Sequence, residues 1–133
     1  MILKKIDKLA QHIYEQTRDF NLDCQKKVPE MKIFDWQPWQ TLDIGIKHEY
    51  QYWTHYLLNT GNFDYTTEQR HAFAVANRLA HGWRLGEERN DELKTDPFLI
   101  PMNRCPEWLF YWCYGKDLIM INNVLKFKKN EKV

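Results

Sequence analysis

Residues 66–82 read TTEQRHAFAVANRLAHG, and they spell out a helix with both ends marked. Thr66 followed by Gln69 has the spacing of a capping box, in which each side chain satisfies the other residue's backbone N–H. Ala72, Val75, Ala76 and Leu79 recur at intervals of three and four, which predicts a buried stripe of small and apolar residues that lets another helix approach closely. Gly82 stands where a helix commonly ends in a left-handed residue.

Upstream, Asn59-Thr60-Gly61-Asn62 is a stop signal for a helix predicted over 41–59, with Leu42, Ile46, Tyr50, Trp53 and Leu57 on one stripe. A first helix is predicted over 2–20 from Ile6, Leu9, Ile13, Thr17 and Phe20. Between these two, Asn21, Asp23 and Pro29 predict an irregular connection over 21–39, ending in FDWQPW at 34–39. A connection this long must be tied down, and its aromatics are the predicted ties. Downstream, 83–105 shows no period and forms a second long loop. Pro106 then predicts a short helix ending at Gly115, and Asp117 the cap of a last helix through Leu125. The expected fold is all-α: a compact bundle of four to five helices, two long ordered loops, and little or no β structure beyond short pairing within 95–103. The expected organisation is a single domain over 1–125 and a frayed, charged C-terminal tail over 126–133.

The bulk numbers agree with one folded domain. The chain has 133 residues, 19 Lys plus Arg against 18 Asp plus Glu, and a net charge of +1. Such a balance lacks the basic imprint of a nucleic-acid coat, so nucleic acid is not an expected partner. Aromatics reach 15%, with seven Tyr, seven Phe and six Trp, which argues against a disordered chain. No apolar run approaches the roughly 20 residues needed to span a bilayer, so no membrane association is expected. The start lacks the long apolar run of a secretory signal. Three cysteines, Cys24, Cys105 and Cys113, match no zinc spacing and read as reduced thiols of a cytoplasmic protein. Cys113, inside an aromatic run, reads as a small buried hydrophobe.

Chemistry-bearing patterns are few. His48 and His55 lie seven apart and no HExxH occurs, so no metal is expected. Neither a phosphate loop nor a nucleophile elbow is present, and no cofactor or catalytic residue is assigned. Glu87, Glu88, Asp91, Glu92 and Asp96 alternate with Arg84, Arg89 and Lys94. That pattern reads as a compensated surface loop, and a hydrolase would need one such acid buried. A richer combination is Trp83, Arg84, Arg89 and Lys94 with Trp39. An indole can stack on a heterocycle, and a guanidinium fork can hold a phosphate. If the two loops meet, these five residues line a pocket for a nucleotide-like ligand. In the other reading they only pin the loops to the helices.

The string GWRLGEERNDELKTDPFLIP at 82–101 resembles the repeat domain of ryanodine receptors, the RyR domain, with its pattern GWxYGxxxDxxxKxHPxLVPY. Gly82, Trp83, Gly86, Lys94, Pro97, Leu99 and Pro101 match, and QPW at 37–39 resembles the PPW of prokaryotic and phage members. Leu85, Asn90, Asp96 and Met102 depart from the common Tyr, Asp, His and Tyr. The resemblance implies a compact helical unit with long ordered loops. It also implies a cytoplasmic module that senses or sequesters a nucleotide or nucleotide-derived signal without catalysis. The alternative is a protein-interaction or structural module that uses the aromatic segment 108–114, as a homo-oligomer such as a homodimer or with a protein partner, since Tyr and Trp are enriched at interfaces.

Overall fold

In a computed structural model, which describes residues 2–29 and 36–131, the chain forms four helices: α1 (Ile2–Lys27), α2 (Ile44–Thr60), α3 (Thr67–Ala80) and α4 (Glu107–Glu131). Helices α2 and α4 each touch the other three, and α1 and α3 pack across that pair. The only strands among the described residues are the two-residue pieces β1 (Arg84–Leu85) and β2 (Thr95–Asp96). They pair in parallel, Arg84 with Thr95 and Leu85 with Asp96. The mostly helical bundle expected from the sequence is what the chain adopts.

The capping box at α3 is present. Thr66 Oγ1 accepts from the Gln69 amide at 3.1 Å, and Gln69 Oε1 accepts from the Thr66 amide at 2.9 Å. Helix α2 starts three residues later than predicted because Asp43 caps it, its Oδ2 accepting from the amides of Gly45 and Ile46. Gly82 turns the chain at φ +91°, a conformation glycine adopts without a Cβ penalty.

Further boundaries differ from the sequence-based expectation. Helix α1 runs on to Lys27, through Asn21 and Asp23. Asn21 is fully buried, and its Oδ1 accepts from Trp36 Nε1 at 2.9 Å and from Gln25 Nε2 at 2.7 Å. Tertiary bonds thus use a residue whose propensity alone would break the helix. Of the FDWQPW segment, Phe34 and Asp35 lie outside the described residues.

Helix α4 does not stop at Gly115, so no separate helix begins at Asp117. A glycine inside a helix costs about 1 kcal/mol relative to alanine. Here it makes room: a Cβ at 115 would lie 2.7 Å from Phe20 Cζ, so the missing side chain sets the approach of α1 to α4. The segment expected to be a frayed tail continues α4 through Glu131.

The aromatic run divides along the 3.6-residue period. Leu109, Trp112, Cys113, Asp117, Met120 and Val124 face inward, while Tyr111 and Tyr114 remain exposed.

Candidate functional site in the α2–α3–α4 interior

Helix α3 turns an unexpected face to the core. Ala72, Ala76 and Leu79, three of the four predicted stripe positions, are exposed, and Val75 is half-buried. Arg70 and Arg78 are buried instead, on one face with Thr67, His71 and Ala74. The period was read correctly and its phase was not. Arginine counts as polar in any pattern, but a guanidinium can go inside when other elements bring carboxylates to it.

Arg78 is met in this way. Its Nε donates to Glu49 Oε1 at 3.0 Å, its Nη2 to Glu49 Oε2 at 3.4 Å and its Nη1 to Asp96 Oδ2 at 3.0 Å. Arg89 Nη1 donates to the same Asp96 oxygen at 3.1 Å, and Arg89 Nε donates to Asp91 at 2.6 Å. The other Asp96 oxygen accepts from the Phe98 amide at 2.7 Å. Burial would pull the Arg78 proton affinity down, but Glu49 and Asp96 outweigh it and hold the group above its ordinary range. This network ties α2, α3 and the 84–98 loop into one unit.

The five residues predicted to hold a ligand belong mostly to this same scaffold. Trp83 is fully buried, with the Arg89 guanidinium 4.5 Å from its ring centroid and its Nε1 donating to Asp43 Oδ2 at 3.3 Å. Trp39 is buried against Tyr14, with the Lys47 ammonium 5.1 Å from its ring. Lys94 donates to the His81 carbonyl at 3.2 Å and lies 3.4 Å from Asp43. Arg84 is exposed, and its Nη1 donates to the Trp83 carbonyl at 2.8 Å. The 83–94 loop reaches the Asp43 cap of α2 through Trp83 and Lys94. Trp83 and Trp39 are both packed inside, each with one of the protein's own cations over its ring. Burial raises the Asp43 proton affinity, yet bonds from Trp83, the Ile46 amide and Lys94 outweigh it and hold the carboxyl below its usual range.

Unused hydrogen-bonding capacity lies elsewhere. A cavity of about 70 Å³ between α2, α3 and α4 is lined by Trp53, Arg70, His71, Trp112, Lys116 and Asp117, among others. Beside it, an open groove of about 450 Å³ runs between the start of α3 and the outer flank of α4, walled by Phe63, Tyr65, Phe110, Tyr114, Leu118 and Ile121. Thr67, Arg70 and Asp117 line both spaces. Arg70 is 6% exposed and Asp117 9%. Arg70 Nε lies 3.9 Å from Asp117 Oδ2, an ion pair too long for a hydrogen bond. Among the described residues, neither Arg70 Nη2 nor Asp117 Oδ2 has a hydrogen-bond partner. The guanidinium rests 4.9 Å from the Trp53 ring. Burial lowers the Arg70 proton affinity, Asp117 opposing. Burial also raises that of Asp117, opposed by Lys116, Arg70 and a hydrogen bond from the Thr67 hydroxyl to the carboxylate. Leaving a buried charged group short of bonds costs about 1–3 kcal/mol or more, and both members of this pair carry an atom in that condition.

Two other pairings carry less chemistry. Cys105 Sγ lies 3.9 Å from His71 Nε2. That nitrogen, however, is 2.8 Å from the Ile100 carbonyl, which can only accept, so Nε2 carries the proton and cannot take one from the thiol. Burial, then Cys113 and Asp96, push the Cys105 thiol up to about 11. The pair therefore has no thiolate character at neutral pH. Among the described residues no group of three His, Cys, Asp or Glu could hold a metal ion, and no helix is long and apolar enough to cross a membrane.

His71 gives this region a pH signature. Burial lowers its proton affinity, with Lys116 and Arg78 acting in the same direction and the Ile100 bond and Asp96 opposing. An unfolded histidine titrates near 6.5, so the unfolded chain binds more protons once the pH falls past that value, and stability falls with it. The urea midpoint is expected to drop between pH 7 and pH 5.5, and His71→Gln should shrink that drop. An equal drop in both proteins would remove His71 as its source.

Arg70 and Asp117 stand 47 positions apart, and no spacing rule joins them. The legible signal was the run Thr67, His71, Ala74, Arg78 at helical intervals, which puts Arg70 on that same face. A scan against protein-family models finds none that matches this chain, and no curated protein matches it either.

Proposed function

We propose that this domain is a non-catalytic binding module for a small organic molecule, seated in the groove between α3 and α4 with its polar end at Arg70 and Asp117. One observation carries the reading: a buried donor and a buried acceptor, both without partners among the described residues, at the junction of a cavity and an aromatic groove. The groove falls within the roughly 300–1,000 Å³ of small-molecule sites. Its apolar walls with few convergent polar groups also fit that class. Sensing or sequestering a nucleotide-derived molecule is the form of this reading to which the RyR-like motif points. That likeness rests on residues 82–101 and names no contact in the groove.

Calorimetric titration against adenine nucleotides and cyclic dinucleotides tests it. A dissociation constant below about 1 mM, equivalent to about 4 kcal/mol, is expected for at least one. Arg70→Met should weaken it at least tenfold. Loss of binding on Arg84→Ala with Arg70→Met unaffected would move the ligand to the 83–94 loop. Silence across the panel at millimolar concentration would end the nucleotide form.

A second reading is favoured by the outer face of α4, where Tyr111 is 61% exposed and Tyr114 51%, with Leu118 and Leu125 also exposed. These residues would serve a protein interface, a homodimer included. Light scattering over a concentration series decides: a monomer throughout removes the homodimer.

A further inference from the structure

The two unpartnered atoms differ in kind, and that difference selects a ligand chemistry. Arg70 Nη2 can only donate, and Asp117 Oδ2, on an ionised carboxylate, can only accept. They belong to neighbouring groups, since the same Oδ2 lies 3.9 Å from Arg70 Nε. A molecule that satisfies both must present an acceptor and a donor side by side. A carboxylate or phosphate presents acceptors alone and would confront Asp117. An ammonium presents donors alone and would confront Arg70.

Charge points the same way. The cavity lining carries Arg70, Arg78 and Lys116 against Glu49, Asp96 and Asp117, three of each sign, and the groove adds the exposed Glu68 to the shared Arg70 and Asp117, so neither space carries the positive excess that an anionic guest would need. Arg78 is already engaged by Glu49 and Asp96, and Lys116 lies 4.9 Å from the Trp112 ring centroid. The groove is walled by Phe63, Tyr65, Phe110 and Tyr114, flat rings that match a flat guest.

Resting on the small-molecule reading above, we infer that the part of the ligand seated at this pair is an uncharged, planar heterocycle bearing a cyclic amide edge, any charged group lying outside it in the open groove. Its carbonyl oxygen accepts from Arg70 Nη2, and its adjacent ring N–H donates to Asp117 Oδ2. Discrimination follows from the acceptor. An analogue with a methyl group on that ring nitrogen loses the donor and sets a methyl against a buried carboxylate, and sites built around a hydrogen bond reject analogues that cannot make it.

The test uses the full chain and ligand-observed NMR or calorimetry. Uridine and inosine are the cyclic amides, 3-methyluridine and 1-methylinosine their donor-blocked forms, and benzoate, inorganic phosphate and benzylamine the charged alternatives. Uridine or inosine is expected to bind at least tenfold more tightly than its methylated partner. Asp117→Asn should bring that ratio toward one, because an amide can turn its N–H or its oxygen to the guest. If this variant does not fold, the wild-type ratio decides. Equal binding of methylated and unmethylated forms, or binding of benzoate, phosphate or benzylamine in their place, would overturn the amide-edge assignment while leaving small-molecule binding intact. No binding by any of the seven at millimolar concentration would overturn the amide-edge assignment, and silence of the nucleotide panel as well would overturn both.

Discussion

Arg78→Met is expected to lower the free energy of unfolding by about 3–5 kcal/mol, the range for breaking a buried ion pair by removing one partner. The loss comes from what stays behind. Glu49 is 7% exposed and Asp96 1%, and both send carboxylate oxygens to this guanidinium. Without it Glu49 would be a buried charge deprived of its two-point partner. Asp96 would keep Arg89 and the Phe98 amide, so the larger share of the loss should fall on Glu49. Adding Glu49→Met to Arg78→Met should therefore recover much of the stability, because replacing a buried pair by apolar groups is often neutral or better. Urea unfolding of the two variants measures this. Domains of this size are stable by about 5–15 kcal/mol, so the single variant should be visibly weakened. A loss below about 1 kcal/mol would mean that the network is solvated and does not tie α3 to α2 and the loop.

That network also marks where the sequence stops being legible. Helix ends written in local chemistry could be read directly, as with Thr66 and Gln69 at the start of α3 and the Gly61 stop after α2, whose φ is +65°. Features settled by distant partners could not. Asn21 looks like a breaker until Trp36 donates to it. Gly115 looks like a terminator until Phe20 is found against it. The inward face of α3 looks like Ala72 and Leu79 until carboxylates arrive from α2, β2 and α4 to receive Arg70 and Arg78. Lys94, at φ +56°, takes a backbone conformation that residue type alone would assign to glycine. The same limit applies to the site. Trp83, Arg89 and Lys94 carry ligand-like chemistry in the sequence, and the fold directs it inward. Arg70 and Asp117 sit in ordinary helical sequence and acquire their character only when α3 meets α4.

Trp83→Ala separates those two roles for the loop. The ring is fully buried, and truncating a buried tryptophan costs about 3–5 kcal/mol through lost contacts and the cavity left behind. Its losses are specific: Arg89 loses the ring under its guanidinium, and Asp43 loses one of the donors that meet its cap oxygen. The β1–β2 pairing stands next to it, with the Arg84 amide donating to the Lys94 carbonyl at 2.8 Å. Hydrogen exchange at Arg84, Asn90 and Thr95 should therefore accelerate more than exchange at the middle of α1. Trp83→Phe keeps a ring in the core but gives up the indole N–H. It should cost much less than the alanine variant, with the lost hydrogen bond contributing about 1 kcal/mol. An indole that served a ligand would show the opposite pattern: near-normal stability in Trp83→Ala, with affinity lost. Its zero exposure argues for the first pattern, because a ring closed off by Arg89 and the helices has no face left on which a second planar molecule could rest.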